Sequence, residues 1–136
     1  MRGVLQVRAA SIEGHERFVK RVVEAGEVWG LKSADGWASC ASNELEDSRV
    51  MPFWSDRAYA RRAAKEEWAA YEPTAIGLDA FLDEWLRGMH EDGTLVGTNW
   101  DANNCGLEVE ALELAKELLD RLEASLGSDD PGASRD

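Results

Sequence analysis

Hydrophobic residues recur at helical spacing in four segments of the chain. In the first, Ser11 is a predicted N-cap and Gly26 a predicted stop, and the apolar side chains between them share one helical face: Ile12, Phe18, Val19, Val22 and Val23. A second helix is predicted over 55–70. A third, capped by Asp79 and ended by Gly93, has the clearest amphipathic stripe. The last helix is predicted over 111–126.

Strands are predicted between these helices. Asp35-Gly36 is a tight-turn signal that makes the flanking segments a hairpin, and Pro52 restricts its strand to an edge, a bulge or a strand end. The predicted strands are 28–32, 37–41, 49–54, 74–78 and 94–100. The pattern predicts the α+β class, with element order αββαβαβα and a mixed or antiparallel sheet of about five strands packed with helices.

The length and the terminal composition indicate one domain. A chain of 136 residues with 44% hydrophobic residues can bury a core without disulfides or metals. We therefore expect a single domain over 11–126, preceded by an N-terminal extension over 1–10. The polar, acidic segment 127–136 is expected to be disordered.

The last helix has an apolar series spaced by three and four residues. Its members are Leu112, Ala115, Leu119, Leu122 and Leu126. Packing against the sheet of the same chain is the favoured interpretation, and a seam between two copies is the alternative. The sequence is thus compatible with a monomer or a homodimer.

The negative charge is concentrated in the C-terminal part of the chain. The net charge is −12, and residues 1–78 contain 11 basic and 12 acidic residues whereas residues 79–136 contain 4 and 15. Such a field repels phosphate backbones, so nucleic-acid binding is not expected. It would attract a basic protein partner or keep the chain in solution.

The remaining composition indicates a cytoplasmic protein. No apolar run approaches the length of a membrane helix, and the N-terminus is a poor signal peptide. The two cysteines, Cys40 and Cys105, are too few for a disulfide framework or a structural zinc site, and two reduced thiols are favoured over one bridge.

No catalytic, cofactor or metal motif is present. The loop from Asp101 to Gly106 resembles the start of a calcium loop, but Cys105 and Leu112 stand where oxygen ligands are needed. His15 and His90 belong to no metal pattern, and no phosphate-binding glycine motif occurs. We therefore expect no metal and no cofactor. The sequence favours a non-enzymatic protein, and Cys105 is the best candidate nucleophile of the enzymatic alternative.

Six tryptophans are the distinctive feature of the sequence. Core packing is the favoured interpretation for Trp68 and Trp85, whereas core and site are equally good interpretations for Trp54 and Trp100, which end strands beside polar loops. A binding ledge would combine aromatic rings with amide and carboxylate groups. The candidate binding residues are Trp54, Asn99, Trp100, Asp101 and Asn103.

The tryptophan-bearing motifs together resemble a known family. They are Glu27-Val28-Trp29-Gly30-Leu31, Asp35-Gly36-Trp37-Ala38, Pro52-Phe53-Trp54-Ser55, Trp68-x-x-Tyr71-Glu72-Pro73, Phe81-Leu82-x-x-Trp85-Leu86 and Val96-Gly97-x-Asn99-Trp100-Asp101. In this order they resemble the bacterial domain-of-unknown-function family 2750, over roughly residues 18–119. The resemblance implies a small stand-alone bacterial domain without an assigned activity, and it supplies no catalytic residues.

Three functional hypotheses follow from the sequence. The first is a non-enzymatic binding or protein-interaction domain that uses the loop after Trp54 and the loop 99–106. The second is an acidic inhibitor, such as an immunity protein or antitoxin, which neutralises a basic partner with its C-terminal part. The third is a small enzyme that uses Cys105 or the Asp101 loop.

Overall fold

Four α-helices and seven strands occur in the part of the chain that a computed structural model describes, namely residues 2–43, 45–101 and 106–128. The helices are α1 (Arg2–Ala25), α2 (Arg57–Ala63), α3 (78–92) and α4 (Ala111–Ser128). The strands are β1 (Glu27–Ser33), β2 (Gly36–Trp37), β3 (Cys40–Ala41), β4 (Arg49–Phe53), β5 (Glu72–Gly77), β6 (Leu95–Thr98) and β7 (Leu107–Val109). The α+β class and the single domain are confirmed.

The strands form two sheets. One is antiparallel with the order β2-β1-β5, and the other has the order β3-β4-β6-β7. The second sheet is mixed, because β4 and β6 are parallel whereas its other neighbours are antiparallel. Trp29 and Trp54 connect the two sheets through a pair of backbone hydrogen bonds of 2.8 and 2.7 Å.

The number and order of the strands differ from the prediction. The described residues contain seven strands, whereas about five were expected. The predicted element order αββαβαβα therefore contains too few strands. The predicted strand over 37–41 separates into β2, which pairs with β1, and β3, which pairs with β4. Each of these short strands forms two residue pairs with its neighbouring strand, β2 with β1 and β3 with β4. β7 was not predicted.

Glycines end two of the helices, as the sequence predicts. Gly26 follows α1 with φ of 74°, and Gly93 follows α3 with φ of 73°. After α3, the backbone N–H of Thr94 donates to the carbonyl of Met89, which closes the last turn. Only glycine adopts this left-handed backbone without a Cβ penalty, so these ends are fixed by local chemistry.

Two helix boundaries were predicted incorrectly. α1 begins at Arg2, so Ser11 lies within the helix and is not its N-cap. The second helix ends at Ala63, and a short 3₁₀ turn, Glu66–Trp68, follows it after extended backbone at Lys65. The break places the Trp68 ring in the core at 4% exposure, so tertiary burial overrides the helical propensity of the alanines.

Aromatic rings join α3 to both sheets. A π-helical turn, Phe81–Trp85, lies within α3 and presents two rings to Phe53 of β4. The ring centroids of Phe53 and Phe81 are 5.0 Å apart, and those of Trp37 and Trp85 are 4.7 Å apart, both in edge-on geometry. These contacts belong to one of two neighbouring clusters of buried residues. The core role predicted for Trp68 is confirmed, and half-buried Trp85 packs against the first cluster.

No helix within the described ranges has both the length and the apolar character needed to cross a membrane.

Candidate functional site

The carboxyl ends of the parallel strands β4 and β6 lie side by side. Phe53 is in register with Thr98 at these ends. The chain continues from them into two polar segments, 54–56 and 99–101, which contain four of the five predicted binding residues. In open α/β sheets, ligands commonly bind in clefts beyond the carboxyl ends of parallel strands, and this sheet contains one such parallel pair. This edge of the sheet is therefore the first place to look for a site.

Trp54 and Trp100 lie in the interior at this edge. Their exposed fractions are 0% and 4%. The indole N–H of Trp54 donates to the carbonyl of Trp100 at 2.9 Å, and the indole N–H of Trp100 donates to the carbonyl of Leu107 at 3.0 Å. Both polar groups are thus used within the protein, and the rings form no exposed aromatic ledge. A direct ligand contact by these rings stays a prediction. In the structure, their two indole hydrogen bonds support the adjoining loops.

Asn99 connects the two strand ends. Its φ of 48° lies in the left-handed region, which is uncommon for a residue with a side chain. The Asn99 Oδ1 accepts a hydrogen bond from the backbone N–H of Ser55 at 2.8 Å, and its Nδ2 donates to the Ser55 Oγ at 3.0 Å. Its own backbone N–H donates to the carbonyl of Phe53 at 2.9 Å. These three bonds hold the strained backbone in place.

The polar network extends from Ser55 to helix α1. The Ser55 Oγ donates to one carboxylate oxygen of Asp56 at 2.6 Å, and the Arg21 Nη1 donates to the other at 2.6 Å. Asp56 precedes α2 but makes no side-chain capping bond, because its carboxylate is engaged by Arg21 and Ser55. A continuous chain of hydrogen bonds therefore runs from Asn99 to the guanidinium of Arg21.

The other two predicted binding residues are Asp101 and Asn103. Asp101 is exposed at the end of the segment. Asn103 lies outside the described residues, as does Cys105, the candidate nucleophile. Cys40 is a half-buried free thiol.

His15 forms a second network that reaches the same strand end from α1. Its Nε2 lies 2.7 Å from the Glu117 Oε1 of α4, and its Nδ1 lies 2.9 Å from the Thr98 Oγ1. In the neutral tautomer that fits both bonds, the Nε2–H donates to the carboxylate and the threonine hydroxyl donates to Nδ1. One imidazole thus joins α1, β6 and α4.

Close backbone approach at Gly14 brings α1 to the strand end. A Cβ at this position would lie 3.2 Å from the carbonyl oxygen of Asn99. A side chain would therefore push the helix away from Asn99, whereas glycine allows the neighbouring His15 to reach Thr98.

The order of groups in this network is that of a hydrolase triad, namely hydroxyl, imidazole and carboxylate. A nucleophile must reach its substrate, however, and Thr98 is 0% exposed. The hydroxyl is also part of a strand in the middle of a sheet. The arrangement therefore stabilises the junction of three elements and does not present a nucleophile.

A cleft between α1 and α4 lies beside both networks. Its volume is about 600 Å³, and Arg21 and Glu117 belong both to its walls and to the networks. The lining contains four basic and three acidic side chains and one apolar one: Glu13, Glu16, Arg17, Val19, Lys20, Arg21, Glu117 and Arg121. In a chain of net charge −12, this is a local concentration of cations.

Metal ligation finds no support in the described part of the chain. No group of three or more His, Cys, Asp or Glu side chains converges there in a way that could hold an ion. The His15–Glu117 pair supplies only two candidate ligands, and its imidazole is shared with a threonine hydroxyl.

Sequence reasoning did not find the residues that define this site. The His15–Glu117 and His15–Thr98 contacts join positions 102 and 83 residues apart, and Arg21 and Asp56 are 35 residues apart. No spacing rule connects such positions. The one available signal was the basic series of Arg17, Lys20 and Arg21 on an otherwise acidic chain.

These features define a single-domain α+β protein with a charged cleft beside the carboxyl ends of two parallel strands. The family model described as "Protein of unknown function (DUF2750)" matches residues 15–118, and the chain belongs to this family. The matched range contains both hydrogen-bond networks. A search of curated proteins gives no match, and neither does a search of solved structures.

Proposed function

We propose that the chain is a non-enzymatic binding domain that holds a small organic anion in the cleft between α1 and α4. The observation that carries this proposal is the set of cations in the cleft walls. Arg21 is engaged by Asp56, but Arg17, Lys20 and Arg121 form no ion pair within the described residues. Three basic groups at a single cleft are suited to a carboxylate or a phosphate.

The acidic walls of the cleft narrow the class of ligand. Glu13 and Glu16 line the same space as the cations, and they would accept hydrogen bonds from amino or hydroxyl groups. A simple inorganic anion uses only the basic half of such a cleft. The complementary ligand therefore combines a phosphate or carboxylate with hydrogen-bond donors, as an amino acid or a hydroxylated phosphate ester does.

The dimensions of the cleft agree with this class. Small-molecule sites commonly enclose about 300–1,000 Å³, and the cleft encloses about 600 Å³. Arg21 and Glu117 in its walls each belong to a hydrogen-bonded network, which restrains both side chains before a ligand arrives. Such preorganisation reduces the entropy cost of binding.

Thermal unfolding in the presence of O-phosphoserine tests the proposal. A ligand at about ten times its Kd stabilises the folded protein by about 1.4 kcal/mol, which raises Tm by about 5 °C for a chain of this length. Sodium chloride at matched ionic strength is the reference for each measurement. The double variant Arg17→Gln/Arg121→Gln should lose the shift.

Arg87→Gln is the matched control, because Arg87 is exposed on α3 and does not line the cleft. This variant should retain the full shift. An equal response of the cleft variant and the control would refute the site, because general screening of the protein charge would then explain the effect. The absence of any shift with O-phosphoserine, orthophosphate and citrate would refute anion binding itself.

A further inference from the structure

Helix α4 has a second apolar face that its own core does not cover. The core-facing residues are Ala111, Leu114 and Leu118, which are at most 2% exposed. Three other leucines of the helix are 50%, 51% and 69% exposed, and they are Leu112, Leu119 and Leu126. The favoured sequence interpretation, in which this series packs on the sheet, is wrong for these three leucines. The core uses different positions of the helix.

The three exposed leucines form one continuous line, the leucine stripe. Their spacing of seven residues is two helical turns, so they lie along one side of α4 over about 21 Å. The half-buried Ala115 and Leu122 lie at the intervening positions and also pack against the first core cluster, so they connect the stripe to the core-facing side of the helix. The five residues thus follow the spacing of the contact positions in paired helices. This length matches a partner helix of about four turns.

Acidic side chains outnumber basic ones on the exposed surfaces of α4 and of the part of α3 that contacts it. On α4, Glu113, Asp120 and Glu123 are exposed together with Lys116. The 86–92 part of α3 contacts α4 and adds two exposed carboxylates, Glu91 and Asp92, together with the exposed side chains of Arg87 and His90. An apolar line on an acidic surface attracts a helix that has leucines on one side and lysines or arginines beside them.

A second copy of the chain is the poorer occupant. Face-to-face pairing would bring two acidic layers together, and each chain already has a net charge of −12. Like charges in contact oppose association, whereas a cationic helix is attracted by the same layer. We propose that the leucine stripe is a docking surface for a basic amphipathic helix of a partner protein.

A designed peptide tests this surface directly. The probe is a fluorescent 15-residue peptide of leucine and lysine, with leucines at helical spacing on one side. Two comparison peptides have glutamate in place of lysine, or the same composition in scrambled order. Fluorescence anisotropy should show that the wild-type protein binds the first peptide at least tenfold more tightly than either comparison peptide.

Two variants locate the binding. Leu119→Gln should weaken binding of the basic peptide by about tenfold, because it places an amide in the middle of the stripe. Leu45→Gln should leave it unchanged, since Leu45 is a comparably exposed leucine, at 48%, that lies in the loop before β4 and is not part of the stripe. Circular dichroism should show the same fold for both variants. The cleft variant Arg17→Gln/Arg121→Gln should bind the basic peptide at least as tightly as the wild type, because it removes two cations and leaves the stripe intact, which separates this surface from the proposed ligand cleft.

Three outcomes would overturn the proposal. Equal affinities of Leu119→Gln and the wild-type protein would mean that net charge alone holds the peptide. Equal binding of the scrambled peptide would remove the need for an apolar stripe. A wild-type dimer in sedimentation equilibrium that Leu119→Gln converts to monomer would assign the stripe to a second copy of the chain.

Discussion

Replacement of Gly97 by alanine should destabilise the protein strongly, because the ring of Trp100 occupies the space of the missing side chain. A Cβ at Gly97 would lie 2.5 Å from the Cε2 of Trp100 and 2.7 Å from its Cζ2 and Nε1. Gly106 restricts the ring further, since a Cβ there would clash with its Cδ1. The ring is therefore held between two glycines and has little room to move.

The size of the destabilisation follows from the displacement of the Trp100 ring and from the hydrogen bond that this displacement strains. An ordinary carbon contact needs about 3.5 Å, so the ring must shift by about 1 Å, and overpacking of this kind costs about 1–3 kcal/mol. The shift also strains the bond from the Trp100 indole to the carbonyl of Leu107, and an unpaired buried donor costs about 1–3 kcal/mol. Alanine recovers about 0.4–1 kcal/mol by restricting the unfolded chain. The net loss in the free energy of unfolding is about 2–4 kcal/mol.

Urea unfolding monitored by circular dichroism and tryptophan fluorescence measures this loss. With an m-value of about 2 kcal/mol/M, the midpoint should fall by about 1–2 M. Gly88→Ala is the control, because it should change the free energy of unfolding in the opposite direction. Gly88 lies within α3 with no atom within 4 Å of its absent Cβ, so alanine should stabilise the protein by about 0.5–1 kcal/mol. A Gly97→Ala protein within about 0.5 kcal/mol of wild type, the range of neutral surface changes, would refute the packing of this ring.

Two further predictions concern Asn99 and Cys40. Asn99→Ala should lower the free energy of unfolding by about 2–3 kcal/mol, because it removes both hydrogen bonds to Ser55 and keeps a side chain at φ of 48°. Asn99→Gly removes the same bonds but relieves the backbone strain. It should therefore lower the free energy of unfolding by less in the same urea titration. Burial, followed by the nearby Glu108 carboxylate, raises the pKa of the Cys40 thiol. In a Cys105→Ser background, iodoacetamide should therefore alkylate Cys40 more slowly in the folded protein than in urea at pH 8. In the folded protein, the alkylation rate should still rise with pH above the ordinary thiol pKa. Equal rates in the folded and the unfolded protein would contradict the raised pKa.

The features that the sequence predicted well depend on neighbouring residues. The helix stops at Gly26 and Gly93 and the turn at Asp35-Gly36 need only a glycine that tolerates positive φ, and all three occur. The partition of strands between two sheets was not predictable in this way. Residues 37–41 are compatible with one strand, and the separation into β2 and β3 depends on partners that lie in β1 and β4.

Helix α4 shows why periodicity alone could not identify the core face. Leu112, Leu119 and Leu126 form one apolar series, while Ala111, Leu114 and Leu118 form another at equally good helical spacing. The second series is the buried one. Only the position of the sheet and of α1 chooses between them, and that position is a property of the whole fold.

The sequence singled out two strand ends that meet in the fold, but not the polar groups that line the cleft. The strand ends that contain Trp54 and Asn99 do meet, and Asn99 is a central residue of the network. The two tryptophans, however, are buried, because a ring this large at the junction of two sheets fills the interior more effectively than it serves as a surface. The polar groups that reach the cleft come from α1 and α4, which the sequence places far from the strand ends.

The two proposed binding surfaces use different sides of α4 and opposite charges. Glu117 and Arg121 face the cleft, whereas Leu119 lies about 200° around the helix from Glu117 and belongs to the leucine stripe. A ligand in the cleft and a helix on the stripe would therefore not compete for space. Both would nevertheless contact a helix that Glu117 fixes to His15, and through it to Thr98 at the end of β6. The His15 network thus helps to hold α4 in one position for both surfaces, which gives this buried imidazole a structural role.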